Sequence, residues 1–154
     1  MNKKNDTSNI VAQNRKASFN YFFEEQLEAG IELSGSEVKS LREGKGSIAD
    51  SYALDQEGEL YLHNSYIPEY RQSSYNNHEP RRLRKLLLKK KEINKLVGKI
   101  NRDGFTIVPT RIYFNKKGIA KVSIGLSKGR KLQDKREYKK KMDWKKQQER
   151  LVKK

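Results

Sequence analysis

The stretch that most constrains the fold is residues 28–54, EAGIELSGSEVKSLREGKGSIADSYAL. Apolar residues alternate with others over 29–34, a pattern that is typical of a half-buried strand. Ser34 and Glu37 then have the spacing of a capping box, in which a hydroxyl and a carboxylate satisfy free amide donors at a helix start. Alternation resumes at 50–54. The stretch therefore predicts a strand, a short helix and a second strand, a unit that could curl a sheet and close its end.

The rest of the chain shows short alternating segments with turn signals between them, as in a small sandwich or barrel. The predicted strands are 19–23, 27–33, 52–54, 60–66, 105–114 and 119–126. Most connections are hairpins, so the sheet should be antiparallel. A second helix is predicted over 92–97, continuing the basic stretch 81–91, with Lys89 at its N-cap and Gly98 as its stop. The prediction is a mainly β fold: a closed, oligonucleotide-binding-type antiparallel barrel of about six strands with two or three short helices.

Composition divides the chain into three parts. Residues 1–13 are polar and predicted to be a flexible arm, and residues 14–127 form the barrel domain. Residues 128–154 carry 13 basic and 4 acidic residues, a net +9 of the chain's formal +16. Because ordering each residue costs ~1–2 kcal/mol of backbone entropy, this basic tail should be disordered alone and become helical against a polyanion. A merely solubilising tail is the alternative, which an exposed Trp144 disfavours.

The charge balance favours an anionic partner, because 35 Lys and Arg against 19 Asp and Glu would repel one another in a compact state unless such a partner screens them. Nucleic acid, an anionic membrane or an acidic protein would serve. The tail lacks the wide apolar face of a membrane-surface helix, and no apolar run reaches the ~18 residues of a membrane span. We also expect no secretory signal in residues 1–16. The absence of cysteine excludes disulfides and thiolate sites, and together these features favour the cytoplasm.

Signals for an enzyme are weak. His63 and His78 have no nearby metal-ligand spacing, and Asp50 and Ser51 with His63 are not a triad signature. Residues 44–47, GKGS, fail as a phosphate loop because a glycine stands where Ser or Thr is required. The sequence therefore predicts no catalytic residue, no metal site and no cofactor.

Signals for nucleic-acid binding are better. Basic residues gather at 14–16, 81–91 and 128–154, and cations that neutralise phosphates release counterions. The aromatic residues near them, which could stack on unpaired bases, are Tyr70, Tyr75, Tyr138 and Trp144. Composition does not separate RNA from DNA. It also leaves open a ribosomal or ribosome-assembly protein with a basic extension, and an RNA-modifying enzyme with a polar pocket on the barrel.

Several separate motifs resemble the SsrA-binding protein family, also called small protein B. They are AGI at 29–31, EVKSLR at 37–42, DSY at 50–52, RKLLL at 84–88 with EI at 92–93, and DKR at 134–136. The match runs in order and at family spacing from about residue 14 to residue 144.

The resemblance implies an RNA-binding protein of bacterial trans-translation without a catalytic centre or small-molecule substrate. It implies binding to the tRNA-like domain of transfer-messenger RNA (SsrA) and delivery of that RNA to stalled 70S ribosomes. Elongation factor Tu would be a partner through the shared RNA. The tail, disordered when free, would lie in the empty messenger channel and fold there as a helix.

The resemblance also implies the site residues. Those expected to bind RNA are Asn14, Arg15, Lys16, Glu28, Lys39, Arg42, Arg84, Lys85, Leu87, Lys89, Lys128, Arg130 and Lys131. Those expected to contact the ribosome are Gln133, Asp134, Lys135, Arg136, Tyr138, Lys139 and Trp144.

Each residue type has an expected role. Arg and Lys would hold phosphates, and Glu28 would accept a hydrogen bond from a base or a 2′-hydroxyl, or orient a neighbouring Arg. Leu87 would pack on an exposed base, with simple core packing as the alternative. Two residues depart from the family pattern. Lys89 stands where many relatives have Asn or His, and Gln133 stands where relatives often carry a stacking His or Tyr.

Overall fold

The computed structural model describes residues 9–72, 77–129 and 132–152. Within these ranges the chain forms seven strands and four helices. In chain order they are β1 (Ile10–Gln13), α1 (Ala17–Asn20), β2 (Tyr21–Ile31), α2 (Gly35–Arg42), β3 (Tyr52–Gln56), β4 (Glu59–His63), β5 (Arg84–Leu87), α3 (Lys90–Asp103), β6 (Thr106–Phe114), β7 (Ala120–Gly129) and α4 (Leu132–Val152).

The strands form a closed ring. Their order is β1-β6-β3-β4-β5-β2-β7, and β7 pairs back onto β6. Every pairing is antiparallel. One edge of β6 pairs with β7; its other edge pairs with β3 at Ile107 and with β1 at residues 111–113. The predicted antiparallel barrel of the oligonucleotide-binding type is thereby confirmed.

The barrel interior is filled by the inward-facing residues of the strands. Ala29, Val122 and Ile112 lie opposite one another on β2, β7 and β6, and each is at most 1% exposed. Helices α2 and α3 add Leu41 and Leu96, which are also buried. Burying an aliphatic side chain of this size stabilises by roughly 1.5–3 kcal/mol, so this layer supplies the main driving force for closure.

Both predicted hairpins are present, and local chemistry explains their turns. Glu57 and Gly58 between β3 and β4 have φ of 52° and 81°, as a two-residue turn matching the strand twist requires. Between β6 and β7, the Asn115 side-chain oxygen accepts from the backbone N–H groups of Lys117 and Ile119, at 3.0 and 2.9 Å. An asparagine that holds the following backbone is a common turn device.

The N-terminal part differs from the prediction. The flexible arm was predicted to extend to residue 13, but residues 10–13 form β1, which covers the part of the β6 edge that β3 does not reach. A strand was predicted from residue 19, but α1 forms because the Lys16 carbonyl accepts from the N–H groups of Phe19 and Asn20, at 3.1 and 3.0 Å. Strand β2 then runs unbroken, with a bulge between Phe23 and Glu25, where two strands were predicted.

Strand β5 and the end of α3 also differ from the prediction. The basic stretch was predicted to lead into a helix, but Arg84–Leu87 is a strand between β4 and β2. Leu86 is fully buried there. The burial gained when the ring closes therefore outweighs the local preference of this stretch for a helix. Helix α3 continues through Gly98 and ends at Gly104, whose φ of 68° is the left-handed conformation that suits a helix C-cap. A glycine inside a helix lowers helix stability by only about 1 kcal/mol relative to alanine.

A buried carboxylate fastens α2 to β5. Oxygen Oε1 of Glu37 accepts from the backbone N–H of Ser34 at 2.9 Å, the capping box expected from the sequence. The same carboxylate accepts from Arg84 Nε and Arg82 Nη2. Both Glu37 and Arg84 are fully buried, and Arg84 Nη1 also donates to the carbonyl and hydroxyl of Ser65, at 2.9 and 2.8 Å. Arg84 Nη2 donates to the Pro80 carbonyl at 3.1 Å.

The two charges stabilise each other. Burial by itself raises the pKa of Glu37, but the hydrogen bonds from Arg82, Ser34 and Arg84 and the charge of Arg84 outweigh it, so its pKa lies below the ordinary 4.5. Burial lowers the pKa of the Arg84 guanidinium, and Glu37 opposes that shift. Because the pKa of Glu37 is lower in the folded state, the pair stabilises fully at neutral pH and less as pH falls below about 4.5.

Replacing Glu37 by glutamine should lower the free energy of unfolding at pH 7 by about 3–5 kcal/mol, because it leaves Arg84 buried without a counter-charge. The difference from the parent protein should shrink as pH falls below about 4.5, because the unfolded parent then binds a proton that the folded carboxylate takes up only at lower pH. Urea unfolding at pH 7 and at pH 3.5 measures both effects.

The matched control is Glu43→Gln, whose carboxylate forms an exposed ion pair with Lys45 at 3.1 Å. It should change the free energy of unfolding by less than about 1 kcal/mol. Equal losses in the two variants would contradict the structural role given to Glu37.

Candidate nucleic-acid interface

The outward-facing residues of β5, β2, β7 and β6 form a continuous surface, called here the outer wall. One row across it contains Glu28, Ser123, Arg111 and, on β1, Gln13. The next row contains Leu87, Gly30, Lys121 and Tyr113. Neighbouring strands lie about 4.8 Å apart, so each row spans about 14 Å. Ring closure thus brings into one surface residues that are far apart in the sequence.

Four of the predicted RNA-binding residues line one open groove of about 520 Å³ on this wall. They are Glu28, Lys85, Leu87 and Lys89. Leu87 is 49% exposed, so the alternative that it packs in the core is wrong. Gly30 lies beside it, and a Cβ there would come within 3.1 Å of the Leu87 Cβ. The groove therefore presents an apolar side chain between a carboxylate and several ammonium groups.

Two acidic residues that line the groove, Glu59 and Glu92, each contact a lysine residue of the same groove. Glu59 lies 3.9 Å from the Lys85 ammonium, and the Glu92 carboxylate accepts from the backbone N–H of Lys89 at 3.4 Å. The Lys89 side chain makes no capping hydrogen bond and is exposed. Its charge is therefore open to an anion from solvent.

The carboxylate of Glu28 is held from the neighbouring part of the wall. The Tyr113 hydroxyl donates to Glu28 Oε2, and the Arg111 guanidinium lies over the Tyr113 ring, 5.2 Å from its centroid. Sequence reasoning missed Tyr113, Arg111 and Lys121. The available signal was alternation: Arg111 and Lys121 each precede a residue that the strand pattern places inside, so they had to face outward.

The basic cluster at the N-terminus lies at the end of the first row. Asn14 directly follows Gln13, and its backbone N–H donates to the Thr110 carbonyl at 2.8 Å. Arg15 and Lys16 are exposed there. The cluster therefore extends the basic character of the outer wall on its β1 side.

Three predicted residues lie elsewhere against aromatic rings. The ammonium of Lys39 is 5.7 Å from the Tyr70 ring centroid, and the guanidinium of Arg42 is 5.1 Å from that of Phe114. Lys128 lies 4.7 Å from the Phe105 centroid. All three cations are exposed, so each can still attract an anion, but none lines the groove.

Arg84 is a correction to the predicted site. Its side chain is fully buried and engaged by Glu37, Ser65 and Pro80, so it stabilises the barrel and has no surface to offer a phosphate. Lys85, one residue on, faces outward because side chains of a strand alternate. The predictions for Tyr75, Arg130 and Lys131, and for the side chains of Gln133 and Asp134, fall outside the described residues.

The tail segment is a helix, α4, that meets the barrel through α1. The rings of Phe19 and Tyr138 lie 6.4 Å apart, tilted by 52°, and Lys135 lies 5.9 Å from the Phe19 centroid. Beyond this contact the helix is exposed: Arg136, Lys139 and the following residues face solvent, and Trp144 is 62% exposed. Whether the free segment is disordered stays a prediction.

Residues 9–72, 77–129 and 132–152 contain no group of three or more His, Asp or Glu that could hold a metal ion. Over the same ranges, no helix is long and apolar enough to cross a membrane.

A closed antiparallel barrel with a grooved outer wall is typical of the oligonucleotide-binding class of barrels. Comparison with known protein families identifies the family within this class. The family model described as SmpB protein matches residues 11–154, and the chain therefore belongs to the SmpB family.

Individual relatives agree with this assignment. The SsrA-binding protein of Agrobacterium fabrum is 59% identical over 144 residues, covering 94% of this chain and 90% of that protein. The SsrA-binding protein of Allorhizobium ampelinum is 60% identical over 144 residues, covering 94% and 91%. A solved structure described as "tmRNA-SmpB: a journey to the center of the bacterial ribosome" is 50% identical, with a TM-score of 0.66, and covers 81% of this chain and 91% of that one.

The adjacent leucines of β5 give a direct test of the site geometry. Leu86→Ala should cost about 2–5 kcal/mol of unfolding free energy, because it opens a cavity in a fully buried position. Leu87→Ala should cost less than about 1 kcal/mol, because half of its side chain is already in water. Urea unfolding of both variants measures the difference. A loss of unfolding free energy at Leu87 as large as that at Leu86 would show that the Leu87 side chain packs in the core.

Proposed function

We propose that this protein binds the tRNA-like domain of transfer-messenger RNA and delivers that RNA to stalled bacterial ribosomes for trans-translation. Its relatives are named SsrA-binding proteins. The similar solved structure is described by its tmRNA, its SmpB and the bacterial ribosome. The observation that carries the proposal is the groove on the outer wall, where Glu28, Leu87 and Lys89 lie together.

The groove has the parts that folded RNA requires. Lysine side chains at its edge can hold phosphates, which position an RNA without reading its sequence. Leu87 offers an apolar surface to an unstacked base, and Glu28 offers an acceptor to a base amino group or a 2′-hydroxyl. The groove is lined by as many carboxylates as lysines, and Glu28 is one of these carboxylates. A carboxylate weakens a purely electrostatic contact with a polyanion. Its presence therefore favours recognition of specific donors over simple charge attraction.

We further propose a division of labour between barrel and tail. The outer wall binds the RNA, and the segment from Gln133 onward contacts the ribosome, lying as a helix in the empty messenger channel. Most helical stability in proteins comes from the packing of an apolar face, and the ring contact of Phe19 with Tyr138 is a small anchor for 21 residues. The segment would therefore be disordered when free and stabilised by ribosomal RNA, whose phosphates match its cations.

In this proposal the protein is a binding partner and not a catalyst. Elongation factor Tu meets it through the shared RNA, and it works in the cytoplasm, where ribosomes translate.

Replacing Glu28 by alanine should weaken binding of a tRNA-like-domain transcript about tenfold, the value of roughly one hydrogen bond to a charged group. The sign is diagnostic: removing a negative charge from a protein that binds a polyanion should tighten binding if only net charge mattered. Gel-shift titration at a fixed salt concentration measures the dissociation constant.

Glu69→Ala is the charge-matched control, since Glu69 is an exposed carboxylate in the segment between β4 and β5. It should leave the dissociation constant unchanged or slightly lower. If the two variants bind alike, Glu28 is not part of the RNA site.

A chain ending at Leu132 should retain binding to the tRNA-like domain but lose the tagging of stalled peptides in a reconstituted translation system, because the groove lies wholly on the barrel. Excess unrelated RNA in the binding assay removes the non-specific attraction of the cationic tail from the comparison. Lost affinity together with normal tagging would refute the division of labour.

A further inference from the structure

Tyr113 joins the two charges of the outer wall. It lies on β6 and is only 4% exposed, yet its hydroxyl reaches across β7 to the carboxylate of Glu28 on β2. Two strand spacings, about 10 Å, separate the strands that carry these residues. The Arg111 guanidinium covers the Tyr113 ring at 5.2 Å from its centroid. The tyrosine therefore contacts an anion through its hydroxyl and a cation through its ring.

This arrangement constrains the carboxylate. Glu28 is exposed on its strand, and an exposed glutamate ordinarily samples several side-chain rotamers. A hydrogen bond from a nearly buried hydroxyl fixes the carboxylate in one orientation and occupies one lone pair of Oε2, while Oε1 stays available to another donor. Charge-assisted hydrogen bonds of this kind are stronger than neutral ones. An acceptor that is fixed in advance loses less entropy on binding.

The same ring places a cation beside that acceptor. Arg111 and Glu28 lie in the same row of the wall, both opposite Ser123. Lys121 lies opposite both Tyr113 and Gly30 in the next row. A phosphate close to Glu28 would therefore meet Arg111 and Lys121, which offset the repulsion of the carboxylate.

We propose that Tyr113 is a positioning residue for RNA binding: its hydroxyl orients Glu28 and its ring seats Arg111, so that the wall presents a fixed acceptor next to a fixed cation. This inference rests on the proposed function, because it concerns how the same groove holds the RNA. It adds to the site a residue that itself has almost no surface for the RNA to touch.

The test is Tyr113→Phe, which keeps the buried ring and removes only the hydroxyl. It should weaken binding of a tRNA-like-domain transcript about three- to tenfold, the size of effect expected for one hydrogen bond. The melting temperature should change little in comparison. The variant Tyr113→Phe combined with Glu28→Ala should bind no more weakly than Glu28→Ala alone, because both changes remove the same oriented acceptor. A merely structural role of the hydroxyl would give independent, additive losses.

Tyr66→Phe is the matched control, since Arg81 covers the Tyr66 ring at a similar 5.1 Å on a part of the barrel outside the groove. It should leave RNA affinity unchanged. Parental affinity in Tyr113→Phe, or additive losses in the double variant, would overturn the inference while the proposed function stands. Failure of the parent protein itself to bind the transcript would overturn both.

Discussion

The buried ion pair between Glu37 and Arg84 is the interaction on which the rest of the structure depends. Glu37 belongs to the first turn of α2, and Arg84 begins β5, 47 residues later. The carboxylate simultaneously caps its own helix and accepts from two arginines. Removing charges from water is costly unless each is paired and hydrogen-bonded, so this cluster tolerates one arrangement of helix and strand. That arrangement holds the start of β5 against α2, and the pairing of β5 with β4 and β2 closes the ring.

Closure decides which residues act together. Once β5 and β7 flank β2, Leu87 and Lys121 both lie opposite Gly30. Because Gly30 has no side chain to cover its neighbour, Leu87 stays half exposed in the groove that also contains Glu28. The site is thus a consequence of barrel register rather than of any local motif. A one-residue slip of β2 would turn Glu28 inward and Ala29 outward.

The electrostatic design separates cations that stabilise the fold from cations that remain open to a partner. Arg84 is fully buried and paired with Glu37. On the α3 side, Lys95 pairs with Glu25 at 2.8 Å and Lys99 with Glu24 at 3.5 Å. Lys89 and Lys121 line the groove. The largest concentration of charge is in α4, most of which is exposed. A strongly basic protein can therefore hold a compact barrel together while keeping its attraction for a polyanion at two separate surfaces.

The sequence by itself determined the closed antiparallel barrel, the capping box of α2, both hairpins and the anionic class of partner, because alternation, turn chemistry and net charge are local or additive properties. The family motifs also predicted Glu28, Leu87 and Lys89 as site residues, which the structure brings into one groove. Only the tertiary structure decided that Arg84 is buried while its neighbour Lys85 faces out, and that residues 10–13 and 84–87 become strands. Only the barrel register placed Tyr113 and Arg111 against Glu28, because contacts between distant strands depend on ring closure and leave no local trace in the chain.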